Sequence, residues 1–156
     1  MAPTEEDLYL TIMLTIEFSR RLAYIGGVIA PLAETIRRWS TWQENPANFF
    51  DDYLLGTLLI YGAWRTGRNV HDGQRFLIAA WGVACGLGYY SFFGQLRGLS
   101  LNETDPAPIP SVWVAVIKGL AWAIAILALI VSLQRLPERN ASQHLEGLST
   151  LNLTYN

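Results

Sequence analysis

The chain has 156 residues, 51% hydrophobic and 15% charged, with a formal net charge of −2. Such sparse charge excludes an ordinary soluble domain, and the near-neutral balance excludes a basic nucleic-acid surface. One cysteine, Cys85, excludes an internal disulfide, a CxxC redox pair and a cysteine-rich metal site.

These features predict an all-α integral membrane protein with four transmembrane helices in a bundle, preceded by an N-terminal amphipathic helix. Residues 1–136 form a single membrane domain, and residues 137–156 form a polar tail expected to be flexible or partner-bound. The N-terminus opens acidic (MAPTEEDLYL) where a cleavable signal would be basic, so the chain is expected to be held by its own spans.

In residues 5–20, Asp7, Thr11, Thr15 and Ser19 recur at four-residue spacing and make one polar stripe on a helix. Joining this segment to the next apolar run would put Glu17, Arg20 and Arg21 at mid-membrane, at about 2.5–3.5 kcal/mol each. Residues 5–20 are therefore read as a separate helix at the interface or against the bundle. The spans follow at about 21–38, 48–65, 75–97 and 111–134. The last two are the clearest: residues 76–96 carry no charge, and residues 112–133 carry only Lys118. Pro31 is expected to kink the first span. Trp39, Trp42, Trp64 and Trp113 fall at span ends, as indole rings at the headgroup level do.

Four spans put both termini on one side, with Arg20, Arg21, Arg65, Arg68, Arg75, Arg135 and Arg139. The other side holds Arg37, Arg38 and Arg97. The excess places both termini in the cytoplasm, in a plasma or inner membrane.

Lipid supplies no hydrophobic drive between helices, so small residues at four-residue spacing mark packing faces. Gly26 and Ala30 form one on the first span, Ala80, Ala84 and Gly88 on the third, and Ala115, Gly119 and Ala123 on the fourth. Gly82 and Gly86 form a second small face on the third span, suited to self-association.

Glu34 continues the Gly26–Ala30 stripe one turn from the outer edge marked by Arg37 and Arg38. Asp51 and Asp52 open the second span at that edge, and Lys118 lies roughly 12 Å inside the fourth. Three readings of this cluster stand side by side. In the structural one, Arg37 and Arg38 pair with Asp51 and Asp52, and Lys118 snorkels outward or pairs with Glu34. In the transport one, Glu34 titrates and Lys118 is its counter-ion. In the third, the aspartate pair holds a divalent metal, although adjacent helical residues diverge and no further oxygen ligands stand out. His71 and His144 lack neighbouring ligands, and no nucleophile elbow or phosphate loop is present, so no cofactor and no enzymatic activity are expected.

In size and hairpin layout the chain is similar to small four-helix drug exporters, which also use a membrane glutamate. The long tail and N-terminal helix depart from that pattern. The expected role is a non-catalytic accessory or assembly subunit, contacting lipid and other membrane subunits or itself. The alternative is a small oligomeric solute or proton-coupled transporter built on Glu34 and Lys118.

Overall fold

The computed structural model describes residues 5–39, 46–102, 105 and 107–134, the side chains of residues 5, 6, 9 and 46–49 excepted. The tail at 137–156, with His144, lies outside the described residues, as do Trp42, Arg135 and Arg139. Four helices make up the fold: α1 (Glu5–Arg38), α2 (Pro46–Arg68), α3 (Val70–Ser100) and α4 (Ser111–Ser132). Each packs chiefly on its neighbour in sequence, α4 closes more sparsely on α1, and α1 and α3 hardly meet. Two of the four, α3 and α4, are long and apolar enough to cross a membrane, with mean hydropathies of 1.5 and 2.5 over their most apolar stretches.

The separate helix expected at residues 5–20 is absent. Residues 5–38 form one helix of 34 residues, about 51 Å long at 1.5 Å per residue. The contacts of α1 explain how its charges are accommodated. Ser19 shares a 2.7 Å hydrogen bond with Ser132 at the end of α4, and Thr15 donates to Gln134 at 2.8 Å. A Cβ on Gly67, near the end of α2, would collide with the Arg20 guanidinium. Glu17, Arg20 and Arg21 thus sit level with the ends of α2 and α4, at the edge of the bundle rather than at its middle. Burial along α1 starts only at Ile16. The first third of α1 projects beyond the bundle on this side, the terminal end.

Local sequence sets the remaining boundaries. Asn69 caps α3, its side chain accepting from the Asp72 amide and donating to the Asp72 carboxylate at 2.9 Å. Asn102 takes a left-handed φ of 56° just past the end of α3, where asparagine is among the few residues that tolerate it. Pro110, which has no N–H to leave unpaired, stands at the start of α4.

The core is mostly small residues: Ala23, Ala63, Ala80, Ala84, Ala125 and Ala128 are buried together with Leu55, Leu59, Leu77 and Trp81. Ala80, Ala84 and Ala115 are buried as their spacing predicts, and Gly26, Ala30, Gly88 and Gly119 are half-buried. Ala123 is exposed, contrary to expectation. A four-residue step advances 400° around a helix, so a strict i, i+4 stripe drifts off the contact face. The face instead continues through Ala125, Ala128 and Ser132. Gly82 and Gly86 are also exposed, with open space around each.

Close contact between α1 and α2 involves two other glycines. A Cβ on Gly56 would collide with the Gly27 carbonyl oxygen and press on Pro31, and one on Gly27 would meet Ile60 and the Gly56 carbonyl. Gly27 is four residues before Pro31, whose missing N–H leaves that carbonyl without its helical donor. The hydrogen that Gly56 carries in place of a side chain faces this oxygen, a Cα–H···O contact between α1 and α2. Between α3 and α4 the small residues receive rings instead. Gly88 takes Trp122 and Gly119 takes Phe92, and these two rings stack at 5.8 Å.

Candidate functional site

A polar network spans the end of the bundle opposite the chain termini, drawing on all four helices and the α3–α4 loop. Its centre is Arg37, near the end of α1. The Arg37 guanidinium donates to Glu34 Oε2 at 3.1 Å and makes a two-point contact with Asp105, Nε to Oδ1 at 3.0 Å and Nη2 to Oδ2 at 2.7 Å. Fork-to-fork geometry of this kind is the strongest form of an arginine–carboxylate pair. Arg38 closes on Glu34 from the next position, so one carboxylate serves two guanidinium groups. The site is shielded, with side-chain exposures of 15% for Arg37, 9% for Glu34 and 3% for Asp105.

Lys118 enters from α4 and donates to Gln95 Oε1 of α3 at 3.0 Å. Gln95 also helps to hold the Asp105 carboxyl low, after the larger contributions of Arg37 and the Ala107 amide. Asp52 of α2 is half-buried and feels the charges of Glu34, Lys118 and Arg37. The formal charges balance: Glu34, Asp52 and Asp105 against Arg37, Arg38 and Lys118. Burial alone would raise the Asp105 carboxyl, but hydrogen bonds from Arg37 and the Ala107 amide, with the Arg37 charge, hold it at about 2, against an ordinary 3.8. The Ala107 contact is 2.8 Å, and the Asp105 amide donates to Ser111 at 3.2 Å, which pins the loop to the start of α4.

The structure brings together Glu34, Arg37, Arg38, Asp52 and Lys118, but not in the pairs expected from sequence. Arg37 and Arg38 take Glu34 and Asp105 as partners rather than Asp51 and Asp52, because a turn of α1 places Glu34 three and four residues before them. Lys118 meets Gln95, not Glu34. Asp51 is exposed, and it diverges from Asp52 as neighbours on a helix must. Among the described residues no three His, Cys, Asp or Glu side chains converge as metal ligands. Arg97 is exposed. Sequence reasoning missed Asp105 and Gln95. No sequence signal singled out Asp105: charge balance calls for a second acid beside Arg37 and Arg38, but Asp51 and Asp52 open the next helix at the same edge and are nearer in sequence.

A second polar network lies at the terminal end. Ser19 and Ser132 are fully buried. Trp81 Nε1 donates to Ser19 Oγ at 2.9 Å, and Ser132 donates to the Ala128 carbonyl at 2.7 Å. Gln74 donates to the carbonyls of Ser132 and Gln134 at 2.7 and 2.6 Å, capping the end of α4. The polar stripe of residues 5–20 thus turns its last member into the bundle, while Thr11 and Thr15 bond back to their own helix.

No family model matches the chain, and no curated protein or solved structure matches it either.

Proposed function

We propose that this chain is a small four-span membrane subunit, without catalytic chemistry of its own, that assembles with a larger membrane complex through the projecting first third of α1. The observation that carries this reading is the exposure of Leu8, Leu10 and Leu14 at 51, 59 and 69% on a segment past the end of the bundle. Within the hydrocarbon core exposed leucines meet lipid. Beyond it they need another apolar surface, and α1 runs straight on from the bundle rather than folding back over its own core.

Four crossings suit the charge arrangement. α1 and α2 are more polar than α3 and α4, yet the acids and bases at their far end compensate one another within the bundle. In this reading both termini face the cytoplasm with the arginine-rich terminal end. The transport alternative finds less support. Glu34, the group that would titrate, is 7% exposed and held by two guanidinium groups. Two grooves among the described residues are lined by other side chains, one of them by Leu10, Met13 and Leu14 of the projecting segment together with Thr66 and Val70.

The test is the native mass of the protein extracted from its own membrane in mild detergent. The reading expects a much larger particle containing other polypeptides, from which a Leu10→Arg/Leu14→Arg variant dissociates without change in its own thermal stability. A homogeneous homo-oligomer of the wild-type chain, unaffected by those substitutions, would contradict it.

A further inference from the structure

The charged side chains at the terminal end fall into two sets. Glu17 pairs with Arg20 at 2.7 Å and Arg21 at 3.1 Å, and Asp72 is engaged by Asn69. Arg65, Arg68 and Arg75 have no carboxylate partner among the described residues. They lie against aromatic rings instead: Arg65 and Arg75 over Phe76 at 5.4 and 5.1 Å, and Arg68 over Trp64 at 4.3 Å. The Nε of Arg65 is buried and meets no acceptor among the described residues. Rings of this kind hold a guanidinium by its flat face and leave its N–H edge for an anion.

The rings also lead away from the arginines along α2. Tyr61 meets Phe76 edge-on at 5.5 Å and Trp64 at 6.0 Å. Tyr61 and Trp64, with Ile60 and Thr57, then line a shallow, open groove along one face of α2. From Trp64 to Thr57 the groove follows α2 for about 10 Å at 1.5 Å per residue, away from the arginines and toward the middle of the bundle.

We propose that this is a binding site for one anionic phospholipid, its phosphate among Arg65, Arg68 and Arg75 and one acyl chain in the Thr57–Trp64 groove. Charge complementarity selects the occupant. Three cations without acidic partners among the described residues favour a lipid with net negative charge, and a zwitterionic headgroup would bring a further cation beside them. The apolar groove favours a lipid over a free anion, which would leave it unfilled.

The test uses the full chain in mild detergent, stripped of lipid, with native mass spectrometry reading the binding of added phosphatidylglycerol or phosphatidylcholine. The wild type is expected to bind one phosphatidylglycerol roughly tenfold more tightly than phosphatidylcholine. Arg68→Ala/Arg75→Ala, which removes two exposed side chains, should abolish the preference. Thr57→Phe, which fills the groove and keeps the arginines, should weaken phosphatidylglycerol binding. Each variant's thermal transition in detergent reports whether it has folded. Equal binding of the two lipids, or a preference that survives the arginine substitutions, would overturn the proposal. Full displacement by millimolar inorganic phosphate, or no effect of Thr57→Phe, would overturn it in favour of a headgroup-only anion site. Displacement of the lipid by a copurifying acidic polypeptide would assign the surface to a protein instead.

Discussion

Arg37 joins Glu34, which Arg38 also pairs, to Asp105, a shielded carboxylate whose ion-pair partner among the described residues is Arg37. The net contribution of such a cluster to stability is small, because each ion lost its hydration on entering the protein. Removing one member is a different matter. Arg37→Met leaves Asp105 shielded without its guanidinium partner, and should destabilise the chain by about 3–5 kcal/mol, read from thermal or denaturant unfolding in detergent. Asp105 gives the same network a pH signature. Its carboxyl ionises at about 2 in the folded protein, below the ordinary 3.8. Its contribution is therefore complete above pH 3.8 and lost as the pH falls toward 2, a change on the order of 2 kcal/mol. A stability–pH profile of the wild type should decline through that window, and Asp105→Asn should remove this part of the decline. Glu34 and Lys118 could be singled out from sequence because a charge within an apolar run is conspicuous. Asp105 and Gln95 could not, since a loop acid carries no periodicity and a glutamine near a span end looks like any other polar residue.

At the scale of helices, the α1–α2 crossing depends on two glycines and a proline acting as one unit. The Pro31 ring frees the Gly27 carbonyl, and only a residue without a side chain can bring α2 against it. Gly56→Ala should accordingly cost about 1–3 kcal/mol as the helices are forced apart. Gly86→Ala, with open space at the same atom, should stay within about 0.5 kcal/mol of the wild type. Paired melting curves of the two variants in one detergent check this. The sequence pointed to Gly26 and Ala30 because they share the stripe of Glu34. Which of two adjacent glycines touches the partner depends on the crossing geometry, which no single-helix pattern contains. Reading residues 5–20 as a separate helix failed for a related reason. A continuous helix need not centre its charges in a membrane. A helix longer than the bilayer can slide until those charges reach the edge, and the hydrogen bonds of Ser19 and Thr15 to α4 fix that register.

For the whole molecule, the two ends of the bundle differ in kind. One end is closed by a charge-balanced network that ties all four helices to the α3–α4 loop. The other carries Arg65, Arg68 and Arg75, which have no carboxylate partner among the described residues, their aromatic supports and the projecting part of α1. The positions of α3 and α4, long and apolar enough to cross a membrane, were legible in the hydropathy of the chain, since long uncharged runs leave few alternatives. The difference between the ends was not, because it depends on which charges find partners. The most direct test of the proposed role is to place a photo-crosslinking amino acid at Leu10 and irradiate the protein in its native membrane. The account expects one discrete adduct with a different polypeptide, and none when the same group replaces Leu127, exposed on α4. Adducts only with lipid, or only with a second copy of this chain, would contradict it.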